Sequence, residues 1–170
     1  MMNRLPNRKH PRLKNYDYST AGAYFITICT QNRQCILSRV VGRGLAPAAM
    51  NGFDYTSFGK IAETQLLLLE ERYPGLSIDR YVIMPNHIHA IILLNHEAAG
   101  ASPHPTIMDV VCSYKSLTTR ECKKNGFTGK LFQTSFYEHV IQCREDYEEI
   151  ADYICENPVR WGCEELYAKE

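Results

Sequence analysis

The stretch RYVIMPNHIHAIILLN, residues 80–95, constrains the fold more than any other part of the chain. Two runs, LSIDRYVIM and HIHAIILLN, flank Pro85-Asn86, a turn dipeptide, and this predicts an antiparallel hairpin. Strand side chains alternate between faces, so His87 and His89 share one face with Ile91 and Leu93. Ile88, Ala90, Ile92 and Leu94 share the other. The two imidazoles then stand side by side in the middle of a sheet, roughly 6–7 Å apart at their backbones. That is close enough to hold one metal ion between them. It is costly unless both rings find partners.

The rest of the chain supplies the layers. AYFITICTQNRQCILSRVV reads as two strands joined at TQNRQ, and GRGLAPAAMNG (42–52) as a small-residue loop. SFGKIAETQLLLLEERYPG carries Phe58, Ile61, Ala62, Leu66 and Leu69 at helical spacing and stops at Tyr73-Pro74-Gly75. HEAAGASPHP is a second loop, and TIMDVVCSYKSLTTRECKKNG a helix with Ile107, Val110, Val111, Tyr114 and Leu117 inward and its lysines outward. KLFQTSFYEHVIQ reads as a strand or extended segment. REDYEEIADYICENPVRWG reads as a last helix ending near Asn157, because Pro158 disfavours helical geometry before it. The order β(β)–α–β–β–α–β–α predicts an α+β fold of ferredoxin-like type, an antiparallel sheet with helices packed on it. Its 170 residues suffice for one domain with a proper core, expected over 16–170 behind a basic arm at 1–15.

Composition narrows the setting. No run of about 18 apolar residues is present, so no membrane span is expected, and the basic start lacks the apolar core of a secretory signal. Seven cysteines form no CxxC pair, which points to reduced thiols in a cytosolic protein. Formal net charge is zero, but it is segregated. Arg4, Arg8, Lys9, Arg12 and Lys14 precede any acid, Lys115, Arg120, Lys123, Lys124 and Lys130 stand against Glu121 alone, and 138–156 is strongly acidic. Such segregation builds a basic face, or merely a tail and a solvated helix.

A metal that keeps positions open for substrate usually takes three protein ligands. Position 91 is Ile91, so there is no HxHxD, and HExxH is absent. His96 and His104 fall in or near the second loop. In DYICENP, however, Tyr153 and Asn157 lie at i and i+4 and share a helix face. Tyr147, Ile150 and Ile154 form the neighbouring apolar stripe. Two imidazole nitrogens and one amide oxygen suit Mg²⁺ or Mn²⁺. A phenol beside them is a nucleophile that needs activation, since its ordinary pKa is about 10. The plain alternative makes Tyr153 an amphipathic cover residue and Asn157 a helix cap.

PNHIHAIIL followed by YICENPVRWG, with GAYFITICTQNR near the start and SFYEHVIQ before the last helix, resembles the REP-associated tyrosine transposases of the single-tyrosine HUH superfamily. The resemblance runs from about Tyr16 to Gly162. It implies that His87 and His89 bind the metal, that Asn157 is the third ligand and that Tyr153 is the nucleophile. It implies metal-dependent cleavage and rejoining of single-stranded DNA at palindromic hairpins through a 5′-phosphotyrosine. The expected phosphate contacts are Arg8, Lys9, Arg12, Lys14, Arg33, Lys115, Lys123 and Lys124. Monomer and homodimer both remain open, and the expected setting is cytoplasmic and nucleoid-associated. Two other functions fit the residues less fully: a hairpin-binding regulator without catalysis, and a metal-dependent phosphoesterase that would not need Tyr153.

Overall fold

The structure is a computed structural model that describes residues 17–18, 20–40, 53–95 and 105–161. The elements are β1 (Gly22–Cys29), a 3-10 turn (Gln31–Arg33), β2 (Ser38–Val40), β3 (Phe53–Tyr55), α1 (Ser57–Arg72), β4 (Leu76–Ile83), β5 (His87–Leu94), α2 (Ile107–Lys124), β6 (Tyr137–Ile141) and α3 (Arg144–Arg160). Four strands form one antiparallel sheet in the order β4-β5-β1-β6. With α1 and α2 they make the split β-α-β unit repeated, which is the ferredoxin-like α+β fold the sequence predicts.

Alternation on the two central strands decides the layering. Tyr24, Ile26 and Ile28 of β1 and Ile88, Ala90, Ile92 and Leu94 of β5 meet α1 and α2 through Leu66, Leu69, Val110, Val111 and Tyr114. Burying each such aliphatic side chain is worth about 1.5–3 kcal/mol. The opposite face of the same strands presents Phe25 and Ile91, which with Val82 and Met84 pack on Ala151, Ile154 and Trp161 at the α3 end of the chain. His87 and His89 lie on this second face, in the layer between sheet and α3.

Local chemistry fixes the helix ends. The Thr56 hydroxyl accepts from the Gly59 amide and caps α1. Gly59 is glycine for a packing reason: a Cβ there would sit 1.9 Å from the Leu37 carbonyl oxygen. Thr106 and Asp109 form a capping box at the start of α2, and Gly126, at φ 91°, lets the chain turn away at its end.

Three details differ from the sequence reading. β2 does not join the main sheet, because β1 is already paired on both edges by β5 and β6. It pairs instead with β3, a strand too short to show periodicity. Finally, α3 continues through Pro158 to Arg160. A proline one turn from a helix end removes only one backbone donor, and the continued helix delivers Trp161 to a buried seat beside His87. Phe132, within the segment read as a strand or extended, makes only an isolated bridge to Thr30 before β6 begins.

Cys29, Cys112, Cys122, Cys143 and Cys155 carry free thiols. Among the described residues no helix is long and apolar enough to cross a membrane. The expected basic arm with Arg8, Lys9, Arg12 and Lys14, the loop at 42–52, and His96 and His104 lie outside the described residues.

Candidate active site

The site begins at the β4–β5 turn. Its backbone is clamped by neighbours: the Thr30 amide and hydroxyl both donate to the Asn86 carbonyl, at 2.9 and 3.0 Å, and the Leu37 amide donates to the Pro85 carbonyl. The Met84 amide donates to the His87 carbonyl and closes the turn. His87 is therefore held by its backbone before its ring makes any contact.

The two rings are then oriented by different partners. His87 Nδ1 lies 2.7 Å from Asn86 Oδ1. An amide oxygen only accepts, so Nδ1 carries the hydrogen and Nε2 presents a lone pair. His89 Nδ1 lies 2.8 Å from Thr27 Oγ1, its partner across the β1–β5 ladder. A hydroxyl can donate or accept, so Thr27 serves either tautomer. The two Nε2 atoms converge to 3.0 Å.

The surroundings are apolar and aromatic. Phe25 stacks on His89 with ring centroids 5.3 Å apart, and Trp161 tilts over His87 at 5.8 Å. Burial accordingly pushes the His89 pKa down to about 3. Burial, with smaller contributions from His89 and Arg33, pushes His87 down to about 2. Both imidazoles are neutral at physiological pH, the form that ligates metals.

Tyr153 and Asn157 come from α3. The Tyr153 hydroxyl is 3.4 Å from His89 Nε2, and its ring meets both His89 and Phe25 edge-on. Asn157, one turn on, is fully buried. Its Nδ2 donates to the Tyr153 carbonyl, while its Oδ1 has no hydrogen-bond partner. An unsatisfied buried acceptor costs about 1–3 kcal/mol, and a cation removes that cost.

These observations test whether a divalent ion fits. Neighbouring donors on an ion with bonds of about 2.1 Å stand roughly 3 Å apart, which is the spacing of the two Nε2 atoms. The donor set of two neutral imidazoles and an amide oxygen fits a divalent ion. Among the described residues there is no cluster of three or more His, Cys, Asp or Glu groups that could hold a metal; the third donor here is an amide.

The expected cations are distributed unevenly. Arg33 sits in the left-handed region at φ 55°, close enough to lower the His87 pKa. Lys115 turns inward rather than outward: its ammonium donates to the Gln133 and Thr134 carbonyls, tying α2 to the 130–134 segment, and partial burial lowers its pKa. Lys123 and Lys124 are exposed on the last turn of α2. Sequence reasoning did not find Thr27 and Asn86. Asn86 had a signal in its adjacency to His87; Thr27 is opposite His89 only once β1 pairs with β5.

The fold is one seen in transposases of the tyrosine class. A solved structure of a REP-associated tyrosine transposase bound to a REP hairpin superposes with a TM-score of 0.63 at 22% identity, over 89% of this chain and 74% of that one. A candidate transposase of Deinococcus radiodurans gives a TM-score of 0.45 at 18% identity, over 86% of this chain and 96% of its own. No family profile matches the sequence. An uncharacterized protein of Haemophilus influenzae is 30% identical across 178 aligned residues, covering 96% of this chain and 94% of its own. The chain belongs to the family of that Haemophilus protein.

Proposed function

We propose that this protein is a REP-associated type of tyrosine transposase, a divalent-metal-dependent nickase and strand transferase for single-stranded DNA at hairpins. The observation that carries the reading is the convergence of two neutral, buried Nε2 atoms to 3.0 Å with the Tyr153 hydroxyl 3.4 Å from one of them. The fold shared with a hairpin-bound transposase supports it.

His87, His89 and Asn157 would hold the ion, which would supply charge neutralisation at the scissile phosphate. Asn86 and Thr27 orient the rings through their Nδ1 atoms. Tyr153 Oη attacks phosphorus in line, a new Oη–P bond forms, and the bond from phosphorus to the 3′ oxygen breaks. The phenolic proton leaves with that oxygen as a free 3′-OH. The DNA downstream stays linked to Tyr153 through its 5′ phosphate, and a 3′-OH can reverse the step. Phe25 and Trp161 keep water from the rings. His89 is not the base for Tyr153 on this reading, because the Nε2 lone pair that faces the hydroxyl is the one that would hold the ion.

The test is a denaturing gel of 3′-end-labelled hairpin DNA with protein, in Mn²⁺ or EDTA. The expected result is a protein-sized labelled band with wild type, only with metal, and none with Tyr153→Phe. Hairpin binding without any such band replaces this reading with that of a non-catalytic hairpin binder. Metal-dependent hydrolysis that survives Tyr153→Phe replaces it with that of a phosphoesterase.

A further inference from the structure

The His site occupies one face of the sheet; a concentration of positive charge among the described residues lies elsewhere. An open groove runs between the C-terminal half of α2 and the 130–134 segment, lined by Lys115, Arg120, Lys123, Lys124 and Lys130. Among the described residues the acid that offsets them is Glu121, through contacts with Lys124 at 2.9 Å and Arg120 at 3.6 Å. In a chain of zero formal net charge this is a strong local field. The solvent side of α3 is the counterpart: Glu145, Glu148, Glu149, Asp152 and Glu156 are exposed and repel a polyanion.

The groove also lacks something. Proteins that hold unpaired strands offer exposed aromatic faces for base stacking. The one aromatic side chain lining this groove, Phe132, is 3% exposed and belongs to the core. A surface of ammonium and guanidinium groups without a stacking platform reads phosphates and not bases, which suits a duplex.

One wall of the groove is stitched to the site. The Gln133 amide donates to the Cys29 carbonyl, the Gln31 amide donates to the Leu131 carbonyl, and Phe132 bridges to Thr30. Cys29 is the register partner of His87, and both Lys115 and Arg33 exert a field on its thiol. The groove therefore ends at the tip of β1 where His87 begins.

We propose that this groove is a binding track for the phosphates of a nucleic-acid duplex, the paired arm of a hairpin, placed so that the unpaired strand leaving it runs past Arg33 onto the His87–His89 site. The assignment rests on the nucleic-acid reading above. Lys123, Lys124, Arg120 and Lys130 make the phosphate contacts; Lys115 holds the groove's two walls together.

The experiment measures binding of full-length protein by fluorescence anisotropy across about 50–200 mM salt, where each phosphate contact on duplex DNA contributes about 0.9 to the logarithmic salt slope. Three DNAs are compared: a hairpin with a single-stranded flank, a blunt stem, and the flank alone. For Lys123→Ala/Lys124→Ala the slope is expected to fall by about 1.8 on the hairpin and on the blunt stem, and by much less on the flank. Lys123→Arg/Lys124→Arg restores it. An unchanged slope on the hairpin, an equal loss on the flank alone, or a wild-type protein that does not hold the blunt stem overturns the assignment. The same wild-type samples are checked for the covalent adduct. An adduct with an unchanged slope in the variant sinks the groove and leaves the chemistry standing; the expected slope pattern with no adduct does the reverse.

Discussion

His87 Nε2 and His89 Nε2 face each other at 3.0 Å, with His87 locked as the Nδ1–H tautomer by Asn86 and His89 left free to choose by the Thr27 hydroxyl. Without an ion, His89 satisfies His87 by donating from Nε2 while Thr27 donates to its Nδ1. With an ion, both Nε2 lone pairs are needed, so the His89 hydrogen moves to Nδ1 and Thr27 becomes the acceptor.

Thr27→Val removes that acceptor while keeping the shape of the side chain. His89 is then held as the Nε2–H tautomer, and Mn²⁺ affinity is expected to fall about 10–100-fold. Titration with Mn²⁺ followed by electron paramagnetic resonance checks the affinity, and imidazole ¹⁵N shifts check the tautomer. Thr27→Ser restores both. A Thr27→Val protein that binds Mn²⁺ like wild type contradicts the orienting role.

Asn157→Leu separates the cost of the site from its use. Removing a buried acceptor without a partner is expected to raise the stability of the metal-free protein by about 1 kcal/mol. The same variant loses most of the rise in Tm that Mn²⁺ gives wild type. Thermal scans with and without Mn²⁺ read both signs in one experiment. A loss of stability in the metal-free variant would mean that Asn157 acts as a structural anchor.

The histidines make stability sensitive to acid. Their folded pKa values, about 2 and about 3, lie below the ordinary 6.5 because burial disfavours the charged ring. The unfolded chain therefore binds more protons as pH falls. Metal-free stability is full above about pH 6.5 and declines below it, by up to about 1.4 kcal/mol per pH unit for each ring. Urea unfolding at successive pH values tests the slope, which should be shallower in His87→Gln. Equal slopes in the two proteins would put the acid sensitivity elsewhere.

Gly59→Ala is expected to destabilise the fold by about 3 kcal/mol, at the upper end for overpacking, because the new Cβ meets the Leu37 carbonyl at 1.9 Å. Leu37 also donates to the Pro85 carbonyl, so the strain reaches the turn that carries Asn86 and His87. Urea midpoints quantify the loss, and Mn²⁺ affinity should fall with it. A variant as stable as wild type shows that α1 can shift away from Leu37.

The sheet face of the histidines was legible in the sequence because strand alternation needs no tertiary information: His87 and His89 lie opposite Ile88, Ala90, Ile92 and Leu94, as the period requires. The pairing of Tyr153 with Asn157 on one face of α3 follows equally from helical spacing. Thr27 was not legible, since its role depends on which residue β1 places opposite His89. The inward turn of Lys115 depends on carbonyls contributed by the 130–134 segment, which carry no sequence signal. Pro158 misled the helix boundary because a local rule about the residue before proline yielded to the packing of Trp161.

The two halves of the site belong to parts of the molecule with different resistance to opening. His87 and His89 lie on β5, paired on both sides by β4 and β1 in the middle of the main sheet. Tyr153 rides on α3, which holds to the sheet through Ala151, Ile154 and Trp161 and through rim contacts such as Tyr147 to Asp79 and His139 to Asp146. Peripheral elements with small apolar footprints open before central strands do. Partial unfolding therefore detaches Tyr153 and Asn157 first and leaves the imidazole pair assembled. Backbone amide exchange should show this as two separate classes of protection, with α3 exchanging at lower free energy than β5. On the proposed reading, mild denaturant withdraws the Tyr153 hydroxyl and the Asn157 oxygen together, and cleavage and tight Mn²⁺ binding are both expected to return only when α3 docks again.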